Sequence, residues 1–337
     1  MTEPTRKLRW GILGAARVNE RLLPAIAEAH NSELVAIASR RPGAAAATLA
    51  KYAPGHPARA YDSLEPLLDD PSIEAVYLPL ANQEHAEWAL KVIERGKHLL
   101  CEKPMALSVA DIEAIEAAAQ ARGVAVMEGF MYRFHPQHAR ILRLIQDGAL
   151  GEVRSVRATY SFTMRQARMY RVNRVPDQGG GAMWDIGCYA IHSLRMFLDA
   201  PPLAVTALAQ YNEHGADTCM SGVVDFGEGR HGHFDFGFAR ARRSEYEIIG
   251  TKGGAKCHTV WQLPGDAPVV SWWTEDGWEG VERLPPANHF RLEIEHFSEC
   301  ALEGKAPALS LEDAKANCRL AAAALRSAAT GKTEQLA

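Results

Sequence analysis

Four groups of residues in this sequence have the types and spacing for acid–base and anion chemistry. Lys103 stands in Cys101-Glu102-Lys103-Pro104, between a carboxylate and a proline that fixes the backbone. Most lysines are solvated, so a surface lysine is the plain alternative. Asp185 and Tyr189, in Gly179-Gly-Gly-Ala-Met-Trp-Asp185-Ile-Gly-Cys-Tyr189, are spaced i, i+4 behind a glycine-rich entry. On a helix they share one face, which puts a proton donor or acceptor beside a carboxylate. A purely structural pair is the alternative.

The third group is Gly11-Ile-Leu-Gly14-Ala15-Ala16-Arg17-Val18-Asn19, between an apolar run and a helical pattern. Gly14 occupies the first position of a dinucleotide fingerprint, while Ala16 and Asn19 replace the later glycines. The amides that open such a helix suit a pyrophosphate. About twenty residues on, Ser39-Arg40-Arg41 closes the second strand where an NAD site would place a carboxylate. None is there. A serine hydroxyl and guanidinium groups suit a 2′-phosphate, so NADP is expected over NAD.

These residues need elements to hold them. Leu8–Leu13, Leu34–Ala38, Glu74–Leu80, His98–Cys101 and Val124–Met127 read as buried strands. Helical patterns fill Arg17–His30, Ala44–Tyr52, Gln83–Glu94 and Ser108–Arg122. That alternation predicts a doubly wound parallel sheet over residues 1–150, an α/β Rossmann domain. Lys103 then lies just beyond the carboxyl end of strand four, on the ligand edge of the sheet. From 151 to 337 the pattern changes to consecutive strands with short breaks, from Val153–Met164 to Ala255–Trp261. Helices interrupt at Ala182–Leu198 and close the chain at Phe290–Glu303 and Leu311–Ala328. An α+β domain with a large, mostly antiparallel open sheet is expected, the terminal helices being free to return to either domain. Ser271–Trp273 and Trp278 concentrate indoles that suit either a core or a homo-oligomer interface.

Composition excludes several classes. The chain has 337 residues, a net charge of −4, 47% apolar and 23% charged residues. The values are globular, and the mild acidity argues against nucleic acid. No apolar run approaches the ~20 residues of a membrane span, and Met1–Lys7 has no signal-like apolar segment. With six cysteines and no CxxC pair, a cytoplasmic protein is expected. His231 and His233 share a strand face, but no third ligand is placed by sequence and no metal is expected.

The four motifs together resemble the glucose-fructose oxidoreductase / inositol dehydrogenase / rhizopine-catabolism (Gfo/Idh/MocA) family over essentially the whole chain. Glu102-Lys103-Pro104 is the most specific mark. The segment Glu128-Gly-Phe-Met-Tyr-Arg-Phe-His-Pro136 and the Asp185…Tyr189 motif are similar to the branch of NADP-dependent D-xylose dehydrogenases, glucose-fructose oxidoreductases and dimeric dihydrodiol dehydrogenases. Other members carry histidine at Tyr189. The resemblance implies an enzyme transferring hydride between nicotinamide and a sugar or polyol carbon. A trans-dihydrodiol dehydrogenase acting on cyclic diols and a non-catalytic NADP-binding regulator are the alternatives. It implies that Lys103 and Tyr189 line the reaction centre, with Asp185 on the substrate or the pair. Tyr189 would relay the proton, its phenol made more acidic by the Lys103 ammonium. It places Pro79, Leu80, Asn82 and His85 against the cofactor, beside Glu102 and Arg133, and often makes the Lys103–Pro104 bond cis. Tyr160, Arg171 and Arg174 are substrate candidates. Arg165 and Arg168 read as a solvated edge. Self-association as a dimer or tetramer through the open sheet is also implied.

Overall fold

In the computed structural model, which describes residues 6–261 and 267–336, the chain divides into two units. The first comprises residues 1–134 and 288–315, the second 135–287 and 316–337. The division at Phe134/His135 lies ahead of the 150/151 boundary read from the sequence, because the helix Pro136–Gln146 clusters with the second unit, touching the strand Val269–Thr274.

The first unit is built on β1 (Leu8–Leu13), β2 (Ser32–Ala38), β3 (Arg59–Tyr61), β4 (Ala75–Leu78), β5 (His98–Glu102) and β6 (Val126–Gly129). Their order is β3-β2-β1-β4-β5-β6, and every pairing is parallel. This is the doubly wound Rossmann order. Helices α1 (Asn19–Glu28), α2 (Ala44–Tyr52), α3 (Glu65–Asp69), α4 (His85–Glu94) and α5 (Val109–Arg122) connect the strands. Local chemistry sets their ends. Ser108 caps α5 by accepting the Asp111 amide at 3.1 Å, and Gly123, at φ +64, stops it. The short β3 and α3 carry no periodic signal and were absent from the sequence reading. The helix His289–Glu303 also belongs to this unit. Its Phe297 ring packs 5.5 Å from Trp10, and Ser298 accepts the Trp10 indole N–H at 3.2 Å.

The second unit holds one nine-stranded sheet. Its strands are β7 (Val153–Ser161), β8 (Ala204–Tyr211), β9 (Asp217–Asp225), β10 (His231–Gly237), β11 (Arg243–Gly250), β12 (Gly253–Cys257), β13 (Val269–Thr274), β14 (Glu279–Arg283) and β15 (Glu334–Gln335). The order is β14-β13-β12-β11-β7-β10-β9-β8-β15. Only β7 and β10 pair in parallel among the described strands; the other pairings are antiparallel. The helix Cys188–Leu198 packs on β7 and β10 and buries one face. Trp272 and Trp273 lie over glycines: in register, Trp273 faces Gly254 and Trp272 faces Gly280, where no Cβ would fit. Trp278 is 74% exposed.

Candidate active site

The turn after β1 is shaped for close backbone approach. Gly14 sits at φ +151, and a Cβ there would come within 3.3 Å of Leu80 Cδ2 and 3.5 Å of Pro79 Cγ. Alanine or any larger residue would be strained on both counts. Asn19, standing where a third glycine is usual, is fully buried and donates its Nδ2 to the Gly14 carbonyl at 2.9 Å. Its Oδ1 has no partner among the described residues, an acceptor held ready beside the turn. Arg41 Nη2 donates to the Ala15 carbonyl at 2.8 Å, and the Ser39 hydroxyl accepts the Arg41 amide at 3.2 Å. The end of β2 is thereby tied to the turn after β1. Arg40 is exposed and pairs with Glu84 at 2.6 Å, which raises the guanidinium pKa further. The bare Gly14 cradle, the partly exposed turn Ala15–Val18 that leads into α1 and the basic end of β2 fit a phosphorylated dinucleotide.

Lys103 follows β5 and is 8% exposed. The Lys103–Pro104 bond is cis, as the resemblance implied. The turn is braced from three sides. Glu102 Oε1 accepts the Tyr77 hydroxyl at 2.5 Å. Glu128, buried at the end of β6, accepts the Met105 amide at 2.7 Å. His85, buried at the start of α4, sets Nδ1 2.7 Å from the Pro104 carbonyl and Nε2 3.0 Å from the Leu80 carbonyl. Burial lowers the His85 pKa against those two carbonyls, which favour the charged ring. Both ring nitrogens are committed to the backbone, so His85 holds the Pro79–Leu80 segment to the Lys103 turn. Asn82 opens a short 3-10 turn, and Arg133 lies half-buried in another at Met131–Phe134.

Asp185 and Tyr189 are in the second unit. Asp185 lies in a π-helical turn, Met183–Gly187, that runs into the helix starting at Cys188. It is the one partly exposed residue in the otherwise buried stretch 179–194. The Phe236 ring occupies the space a Cβ at Gly187 would need, so a glycine is required there. π turns of this kind are frequent at functional sites. The Tyr189 ring lies 6.0 Å from Tyr160 and 6.3 Å from Trp261, and Tyr160 stacks on Trp261 at 5.0 Å. The sequence-predicted Tyr160 and Tyr189 are thus together, backed by an indole that sequence reasoning placed only in a strand. Arg174 is half-buried and Arg165 exposed; the Arg171 side chain lies outside the described residues.

Residues 8–130 match the oxidoreductase family with an NAD-binding Rossmann fold, and residues 138–256 match the GFO/IDH/MocA C-terminal domain. The chain belongs to the GFO/IDH/MocA oxidoreductase family. This family member is 34% identical over 331 residues to a D-xylose 1-dehydrogenase (NADP(+)) of Haloferax volcanii, covering 98% of this chain and 100% of the relative. It is also similar to KijD10, a 3-ketoreductase of Actinomadura kijaniata crystallised with NADP and TDP-benzene (29% identity, TM-score 0.87, 96% and 98% of the chains). An aldose-aldose oxidoreductase of Caulobacter crescentus in complex with glycerol matches with a TM-score of 0.88 at 28% identity, over 98% and 100% of the chains. The GFO/IDH/MocA protein described here is therefore an oxidoreductase with an NAD(P)-binding Rossmann domain, as the motifs led us to expect.

Sequence reasoning assigned no role to Glu128, Trp261 or the Asn19 side chain. The signal for Glu128 is a carboxylate ending an apolar strand. Nothing local marks Trp261.

Proposed function

We propose that the protein is an NADP-dependent dehydrogenase of aldoses of the D-xylose or D-glucose type. The observation that carries this reading is the end of β2, where Ser39, Arg40 and Arg41 stand in place of a carboxylate and Arg41 is tied to the turn after β1. The whole-length similarity to a D-xylose 1-dehydrogenase (NADP(+)) supports the substrate class.

In this reading the first unit holds the dinucleotide through Gly14–Val18, Ser39–Arg41, Pro79, Leu80, Asn82, Glu102 and Arg133. When bound, the dinucleotide supplies the hydride chemistry. The chain's own residues orient the sugar and move one proton. Tyr189 Oη takes the proton of the hydroxyl being oxidised, and returns it in reduction. Lys103 supplies a cation for the developing charge on the substrate, from a turn in the first unit that His85, Glu128 and Glu102 brace. Asp185 orients the substrate hydroxyls, with Tyr160, Arg171 and Arg174 further out.

The second unit also carries self-association. The sheet face opposite the Cys188–Leu198 helix exposes Leu208 and Val223, and the β14 end exposes Trp278 and Val281. Six free cysteines, five of them buried, support a cytoplasmic setting.

The test is absorbance of reduced nicotinamide with D-xylose and D-glucose, with NADP⁺ and NAD⁺ compared, on the wild type and Lys103→Ala. Lys103→Ala is expected to cut kcat by about 10²–10⁴ while leaving NADP⁺ affinity near its original value. Wild-type turnover of neither sugar, or normal kcat in the variant, overturns the reading.

A further inference from the structure

Asp217 opens β9 and is 1% exposed. Its Oδ2 accepts the Met183 amide at 2.7 Å, and the amides of Ala182 and of Asp217 itself also bond the carboxylate. The Ala182 and Met183 amides open the π turn that carries Asp185. Ala182, the residue at the cap position, offers no capping side chain. A helix start leaves several amides without partners, and a carboxylate there answers both the hydrogen bonds and the dipole. Here that carboxylate arrives from a strand far along the chain. Gly181, at φ +99, makes room for it, since a Cβ there would collide with Asp217 Oδ1. At the other end of the turn Phe236 closes on Gly187.

Asp217 is itself fixed. The hairpin before it is locked by Asn212 Oδ1, which accepts the His214 and Ala216 amides at 3.0 Å each. The Asn212 amide bonds the Ala216 carbonyl at 2.9 Å, and Tyr211 lies directly opposite Asp217 in the register. The start of an interior strand, paired on both sides, therefore grips the first turn of the segment that presents Asp185 and, one turn later, Tyr189.

We propose that Asp217 is a positioning residue for the oxidoreductase reaction: it sets where the Asp185–Tyr189 segment starts, and so where both side chains point, without touching substrate. The inference rests on the reading of Tyr189 as proton carrier. A misplacement of about 1 Å can cost roughly 100-fold in rate, so a cap that fixes the start of this segment acts on kcat.

The experiment uses the full-length protein with Asp217→Asn, Asp217→Ser and Tyr189→Phe. Steady-state kinetics on D-xylose are read beside NADPH affinity by fluorescence and hydrogen exchange of peptides covering 180–190. Asp217→Asn keeps the volume but presents an NH₂ group to amide donors. It is expected to lower kcat by roughly 10- to 100-fold, leave NADPH affinity within about twofold, and speed exchange in 180–190. Asp217→Ser, a small capping acceptor, is expected to recover part of both effects. If Asp217→Asn is unfolded at the assay temperature, Asp217→Ser is judged against the folded wild type by the same signs. Normal kcat with faster exchange, or unchanged exchange in 180–190, overturns the proposal. Tyr189→Phe separates the two levels. An inactive Tyr189→Phe beside an unaffected Asp217→Asn removes the positioning role alone. An active Tyr189→Phe removes the reading beneath it.

Discussion

His85 Nδ1 lies 2.7 Å from the carbonyl oxygen of Pro104, and the opposite ring nitrogen lies 3.0 Å from that of Leu80. One imidazole spans two loops at the carboxyl ends of β4 and β5. A neutral ring donates from only one nitrogen, so the shorter contact is the better candidate for the N–H. Removing the ring leaves a cavity and two buried carbonyls. His85→Ala is expected to cost about 1–3 kcal/mol of stability, from the Pro104 carbonyl left without its donor. It should also lower kcat by loosening the Lys103 turn. Urea unfolding and initial rates check both; an equally stable variant with full kcat would contradict the bracing role.

Gly14→Ala tests the nucleotide turn. The positive φ and the 3.3 Å approach to Leu80 Cδ2 leave no relaxed place for a methyl group. Backbone strain of this order is ~1–3 kcal/mol. The dinucleotide dissociation constant is expected to rise roughly tenfold or more, at 1.4 kcal/mol per decade. Calorimetric titration with NADP⁺ reads it directly.

Arg40→Ala tests the proposed preference for NADP⁺. Arg40→Ala should lower kcat/KM with NADP⁺ by roughly tenfold or more, since a hydrogen bond to a charged group contributes about 1.5–3 kcal/mol. With NAD⁺ the effect should stay within about twofold. Equal losses with both would assign Arg40 to the Glu84 ion pair alone.

Glu293 predicts a pH effect on stability. It is fully buried in the His289–Glu303 helix, and neither carboxyl oxygen has a partner among the described residues. Burial, with Glu102 nearby, pushes its pKa well above the usual carboxylate range. The folded chain therefore keeps a proton that the unfolded chain loses above about pH 4.3. Stability from this group is full below that pH and falls as pH rises towards the folded value. Glu293→Met removes the penalty. It should match the wild type near pH 4 and exceed it at pH 7 by ~1–4 kcal/mol in urea unfolding. A destabilised Glu293→Met at pH 7 would reject this account.

Much of the first unit is legible in the residues themselves. Short, mostly apolar runs such as Leu8–Leu13, interrupted only by Arg9, read as buried strands, and β1 spans those residues. Ser108 and Gly123 bound α5 because capping is local chemistry. Gly14 is legible because a short motif carries its own backbone requirement. β3 and α3 were not, since neither is long enough to show a period. The Gly179–Tyr189 motif announces a helix, but not the π turn within it, nor the Phe236 ring that packs against Gly187 from another segment.

The alternation of strands and helices, the family, and the residue types that carry charge and protons are all readable along the chain. Those properties are local: hydrophobic period, turn chemistry and short motifs. What supports them follows from the folded arrangement. Asp217 caps a turn more than thirty residues earlier, Trp261 backs Tyr160, His85 bridges two loops, and Glu293 is buried with no partner among the described residues. Each depends on contacts between segments distant in the chain. No local pattern encodes such contacts, because hydrogen bonding and burial act through space.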